Sequence, residues 1–316
     1  IAGIIVVIIA LPLSIALALA SGVTPEKGIY TAITAGFVIS FLGGSRVQIA
    51  GPTAAFATIV AGIVAKNGMD GLIIATLLAG VILILMGFLR LGNLIKFIPY
   101  TITTGFTSGI AVTIFIGQIK DFLGLSIVSE EPLIETMDKL KAVFQFISTT
   151  NVQALLVGVI SLLILILWQY LPGFCKKIPP SLIAVLVGSA MVALLNMNVN
   201  TIGDLYEISN KLPSISLPAF SLKTVQNVLP DAFTIAILAA IESLLSCVVA
   251  DSMVNSRHRS NMELIAQGAG NITSALFGGI PATGAIARTA ANVKNGGRTP
   301  IAGMVHSVTL LLILVV

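Results

Sequence analysis

The chain has 316 residues, 56% of them apolar and only 9% charged, with a mean hydropathy of +1.05. A soluble protein carries roughly 25% charged residues, so this composition excludes a water-wetted globule, and no nucleic-acid partner is expected. The solvent for most of the surface must be lipid.

Leu, Ile, Ala and Gly dominate and strand-like alternation is weak, which favours spanning helices over a barrel. The first apolar run, near 3–21, has no basic segment before it and no cleavage signature, so it reads as a span rather than a signal peptide. Further spans are predicted near 28–43, 53–65, 70–90, 97–119, 151–171, 178–196, 231–254, 260–278, 282–294 and 299–316. Between them, 120–150 and 197–230 are longer polar connections, and "IETMDKLKAVFQFI" in the first of these predicts an amphipathic surface helix. Cys175 lies beside Lys176 and Lys177, and Cys247 lies inside an apolar run. Both read as unpaired packing residues, and no CxxC or Cys/His cluster points to a metal.

Two spans are short because they are broken. "GGSRVQIAGPTAAF" (43–56) and "FGGIPATGAIARTA" (277–290) each run from a Gly pair through an extended piece and a proline into small residues and a short helix. The first is the third span of the chain; the second is the third span of a block that begins near 231 and enters the membrane from the opposite side. That arrangement is an inverted repeat, and its paired interrupted segments mark a transporter's binding site. A helix starting inside the membrane leaves its first N–H groups without intrahelical acceptors. Two such N-termini, each the positive end of a helix dipole, fit an anion. Small residues (Ala54, Ala55, Gly284, Ala285) let the guest approach the backbone, Thr53 and Thr283 add hydroxyls, and each proline is expected to start its helix.

Charge placement sets the expected orientation. Arg46, Arg90, Lys96, Lys176, Lys177, Arg257, Arg259, Lys294 and Arg298 crowd the short loops of one side, which puts the N-terminus in the cytoplasm. "RHR" at 257–259 belongs to that belt, and a pH sensor at His258 is the weaker alternative. Within the spans, Glu242 and Arg288 are the ionisable residues that stand out. Charges at that depth are expensive and mark function or a locking ion pair.

The segments "ALPLSIALALASGVTPEKGIYTAI", "GGSRVQIAGPTAAF", "AAIESLLSCVVADSM" and "GGIPATGAIARTAANVKNGGRTPIAG" resemble the SulP (sulfate permease) family of anion transporters, as found in bacteria, whose animal relatives include prestin. The resemblance runs the length of the chain. It implies an all-α polytopic membrane protein with a seven-plus-seven inverted-repeat fold, its third and tenth helices interrupted. It also implies core parts at 1–119 and 231–316 and a gate part at 120–230. Set against the family pattern, the chain stops at Val316 before the last three spans and the STAS domain, so the second repeat is expected to be incomplete here.

Carried over by position, the resemblance places an anion between Thr53, Ala54, Ala55 and Phe56 on one side and Ala285, Ile286, Ala287 and Arg288 on the other. Leu13 and Leu17 of the first span line the pocket. It assigns cation coupling to Glu242, Ser246 and Thr283, with Na⁺ at Glu242 and Ser246 or a proton as alternatives, and no other metal or cofactor. The implied activity is secondary active transport of a small inorganic anion, sulfate or bicarbonate, by an elevator-like movement, with a homodimer as the complete protein in the bacterial inner membrane. A dicarboxylate cargo and an uncoupled anion channel or exchanger stand as alternatives. No HExxH and no pair of in-span aspartates supports an enzyme.

Overall fold

The structure is a computed structural model and describes residues 1–93, 100–128, 133, 135–171, 179–206, 212–215 and 217–315. Cys175, Lys176, Lys177, Lys96 and Lys211 lie outside the described residues. The chain divides into two compact units, Ile1–Thr104 with Ile208–Val316, and Gly105–Glu207.

In the first unit, α1 (Ala2–Ala20), α2 (Pro25–Leu42) and α12 (Ile301–Val315) pack side by side through Val7, Ile29, Ala32, Ile33, Leu310 and Leu314. Helix α2 starts at Pro25, whose missing N–H is harmless in a first turn. The long α3 (Ala57–Phe88) is interrupted at Gly68, where φ is 67°. A positive φ is open to glycine at no steric cost, so the chain makes here the boundary expected between the spans 53–65 and 70–90.

Helices α9 (Leu222–Val254) and α10 (Ser260–Leu276) pack on α3 around Val60, Ile63, Leu72, Ala79, Leu83, Ile235, Ala239 and Leu264. Gly80 of α3 and Gly268 of α10 face one another so closely that a Cβ on either would strike the other's carbonyl. Small residues at such a crossing let helix backbones approach. Helix α9 starts earlier than the expected 231, because Pro230 is accommodated inside it at the loss of one backbone bond.

The second unit holds α4 (Tyr100–Leu123) from Gly105 onward, then α5 (Thr136–Gln145), α6 (Val152–Leu167), α7 (Pro180–Leu194) and the single turn α8 (Ile202–Leu205). Helix α5 is the expected amphipathic one: Ala142 and Val143 are buried while Phe144 and Met137 remain exposed. Asn151 caps α6 by accepting from the amides of Gln153 and Ala154. Thr201 and Asp204 form a capping box on α8, and the two bonds from Thr201 hold the Asp204 carboxyl below its ordinary pKa. Among the described residues, three helical stretches are long and apolar enough to cross a membrane: Ala2–Ala20, Ala54–Phe88 and Leu222–Val254.

Candidate functional site

The two broken segments meet. β1 (Ala50–Gly51) and β2 (Thr283–Gly284) form an antiparallel ladder with Ala50 opposite Gly284 and Gly51 opposite Thr283. Ala285 continues it by donating its N–H to the Ile49 carbonyl at 2.9 Å. A short 3₁₀ turn, Ala54–Phe56, leads from β1 into α3, and α11 (Ile286–Lys294) follows β2. Because the strands are antiparallel, the two helices leave from opposite ends of the ladder, each with its N-terminus against the pair.

The prolines therefore do not start the helices. Pro52 follows β1, and Pro281 precedes β2, so α11 begins at Ile286 rather than at the expected 282. The backbone of 283–284 is used for pairing instead. In an apolar surround an unpaired backbone group costs about several kcal/mol, and the ladder satisfies these groups where neither helix can.

Side chains of α11 complete the job. Thr289 Oγ1 accepts from the Ile49 amide at 3.0 Å, and Asn292 Nδ2 donates to the Val47 carbonyl at 2.8 Å. Gly51 leaves room for the Arg288 guanidinium, which lies where a Cβ would stand, and Gly284 does the same for the side chain of Gln48.

One face of α9 runs along both segments at helical spacing: Ala239, Glu242, Ser243, Ser246 and Cys247. Thr53 Oγ1 donates to Glu242 Oε2 at 2.9 Å, and Thr283 Oγ1 donates to the Ala239 carbonyl at 3.1 Å. Ser246 Oγ donates to Thr289 Oγ1 at 3.4 Å rather than turning to Glu242. The Cys247 thiol donates to Gln48 Oε1.

Arg288 is 1% exposed. Its Nη2 donates to the Pro52 carbonyl at 3.1 Å, while Nε and Nη1 have no protein acceptor. Glu242 is not its ion-pair partner, since the ion pairs among the described residues are Lys141–Asp138 and His258–Asp251. Glu242 and Arg288 are opposite charges close enough to attract one another, but no direct salt bridge joins the two helices. The structure thus gathers Thr53, Phe56, Ala285, Arg288, Glu242, Ser246 and Thr283 around the ladder. Ala54, Ala55 and Ile286 are partly exposed, Ala287 is exposed, Leu17 is buried and Leu13 is exposed.

Sequence reasoning missed several members of this layer. Glu263, Gln267, Asn271 and Ser274 are buried on one stripe of α10, and their spacing was the available signal. His306 of α12 is also fully buried. Away from the ladder, a cavity of 480 Å³ is lined by Asn93, Asp251 and the turn Arg257–Met262. There His258 Nδ1 meets Asp251 Oδ2 at 2.7 Å and Nε2 meets Ser260 Oγ at 3.0 Å, which closes the α9–α10 turn and leaves Arg257 and Arg259 exposed.

A model of the Sulfate permease family matches residues 1–316. YvdB of Bacillus subtilis (strain 168) is 46% identical over all of this chain and 59% of its own length. The bicarbonate transporter BicA of Picosynechococcus sp. is 34% identical over 99% of this chain and 56% of its own. The solved transmembrane domain of a cyanobacterial BicA superposes with a TM-score of 0.87 at 31% identity, covering 99% of this chain and 80% of that one. The fold is therefore the helical seven-plus-seven inverted repeat of those transmembrane domains. The chain spans 59% and 56% of the lengths of the two curated relatives named.

Proposed function

Because the chain belongs to the sulfate permease family, a family of integral membrane transporters and not of enzymes, we propose that the whole protein is a secondary active transporter of a small inorganic anion. The cargo class is sulfate or bicarbonate. The driving ion is H⁺ or Na⁺, and the core part moves elevator-fashion against the gate part. The protein works as a homodimer in the bacterial inner membrane, N-terminus in the cytoplasm.

One observation carries the reading. Arg288 is a buried cation with two nitrogens unfilled, held against a strand pair from which two helices set out. Helix geometry leaves the first amides of each helix, around Ala54–Ala55 and Ile286–Ala287, without intrahelical acceptors. Donors and positive potential converge, and buried N–H groups left unfilled are costly. An anion with several acceptor oxygens removes both deficits.

Coupling follows from Glu242. Its carboxylate accepts from Thr53, the residue immediately before the Ala54–Phe56 turn. A proton or Na⁺ arriving at Glu242 changes what Thr53 can offer the anion, so the two guests bind cooperatively through one hydroxyl. Ser246 of α9 and Thr283 beside it are bonded to Thr289 and to the Ala239 carbonyl, so each hydroxyl would turn from that partner to join a cation at Glu242.

Reconstitution in liposomes tests the proposal. Labelled sulfate, bicarbonate and succinate are offered under separate Na⁺ and pH gradients. The expected result is uphill uptake of sulfate or bicarbonate that collapses with one gradient. Preferred uptake of succinate shifts the cargo to dicarboxylates, and gradient-independent flux shifts the mechanism to a channel or exchanger.

A further inference from the structure

A second buried carboxylate stands behind the ladder, and the coupling reading makes no use of it. Glu263, in the first turn of α10, is 0% exposed. Its Oε2 accepts from the amides of Gly44 at 2.9 Å and Ser45 at 3.1 Å. Its Oε1 accepts from Gln48 Nε2 at 3.0 Å and Gln267 Nε2 at 2.9 Å. Every one of these partners is an N–H donor and none is a cation.

A carboxylate offers about four lone-pair sites, so this group is filled in its ionised form. A proton on either oxygen would set an O–H against an N–H, and a cation would meet hydrogens instead of lone pairs. Glu263 thus differs from Glu242, for which Thr53 is the hydrogen-bond partner found.

The groups it holds are specific. Gly44 and Ser45 belong to the loop between α2 and β1, and Gln48 leads directly into Ile49–Gly51. Arg259 fastens the same loop from the other side by donating its N–H to the Gly44 carbonyl at 3.1 Å. Gln48 is fastened further by the Cys247 thiol.

We propose that Glu263 is a positioning residue for the anion site: its four-donor clamp on Gly44–Gln48 fixes β1 and, through it, the turn that starts after Thr53. The inference rests on reading the ladder as an anion site. It assigns Glu263 no part in carrying the coupling ion.

Two variants of the whole protein test it. In Glu263→Gln the new NH₂ faces two N–H donors whichever way the amide turns; turning Gln267 presents its free Oε1 but leaves Gln48 Nε2 without its acceptor, because Gln48 Oε1 is held by the Cys247 thiol. Anion affinity is expected to fall about tenfold, the consequence of unpaired buried donors, while the number of coupling ions per anion stays unchanged. In the swap Gln48→Glu with Glu263→Gln, the carboxylate returns from position 48. The new amide then sets its oxygen against Gly44 and Ser45 and its NH₂ toward that carboxylate and toward Gln267 Oε1, which has no partner now.

The swap is expected to recover affinity to within about threefold of the parent. Hydrogen exchange over residues 44–56 gives a readout that does not depend on transport: faster in the single variant, restored in the swap. Parent-like exchange and affinity in Glu263→Gln would overturn the positioning role, and so would a swap that restores neither. A changed coupling ratio in the single variant would overturn it as well. Failure of the parent itself to bind any anion would overturn the reading of the site instead.

Discussion

The paired breaks of the first unit and the α6–α7 pair of the second solve one problem in opposite ways. Helices α6 and α7 satisfy their own backbones, so their interiors need almost no polar side chains, and Leu156, Leu162, Leu163, Val185 and Leu186 face outward. The broken segments cannot satisfy themselves. They take a two-residue ladder, Thr289, Asn292 and Glu263 to satisfy their backbone groups. A continuous helix is therefore a wall, and a broken pair is a site whose polar residues hold the backbone open for a guest. Positions around the ladder should be intolerant of substitutions that α6 absorbs.

The largest effect is expected at Glu242. Glu242→Gln keeps an oxygen for the Thr53 hydroxyl but removes the charge, so gradient-driven accumulation should be abolished while the protein stays folded. Uptake under Na⁺ and pH gradients measures this, and retained accumulation would return Glu242 to a structural role. Next comes Thr289→Val, nearly isosteric, which strips the Ile49 amide of its acceptor. A buried donor left unpaired costs about 1–3 kcal/mol, to be seen as a lower melting temperature in detergent. Smallest is Leu163→Ala on the exposed face of α6, expected to change stability by no more than about 0.5 kcal/mol. Equal losses for Thr289→Val and Leu163→Ala would erase the contrast between the two regions.

Much of this contrast was legible beforehand. Apolar runs predicted the helices, although α9 starts at Leu222 and α11 at Ile286 rather than near 231 and 282, and Gly51–Pro52 with Gly279–Pro281 announced the breaks. The strand register was not legible, because Ala50 opposite Gly284 is a contact between distant parts of the chain that no local pattern encodes. The prolines were expected to start their helices, and the long-range pairing of 50–51 with 283–284 is what places them outside the helices instead. The span expected near 231–254 begins earlier, at Leu222, with Pro230 inside the long α9. Glu263 did not stand out in the sequence as Glu242 does, because it is no lone charge: its neutral partners Gln48 and Gln267 make it part of a filled network.

The central claim is that Arg288 supplies positive potential to an anion held at the ladder. Binding of sulfate and of a monovalent anion to solubilised parent, Arg288→Lys and Arg288→Ala, measured by calorimetry, tests it most directly. Coulomb attraction scales with the product of charges, so Arg288→Ala should weaken sulfate by about 5- to 150-fold, on the order of 1–3 kcal/mol, and the monovalent anion by less. Arg288→Lys should fall between parent and Ala. Parent-like affinity of Arg288→Ala for both anions would contradict the account.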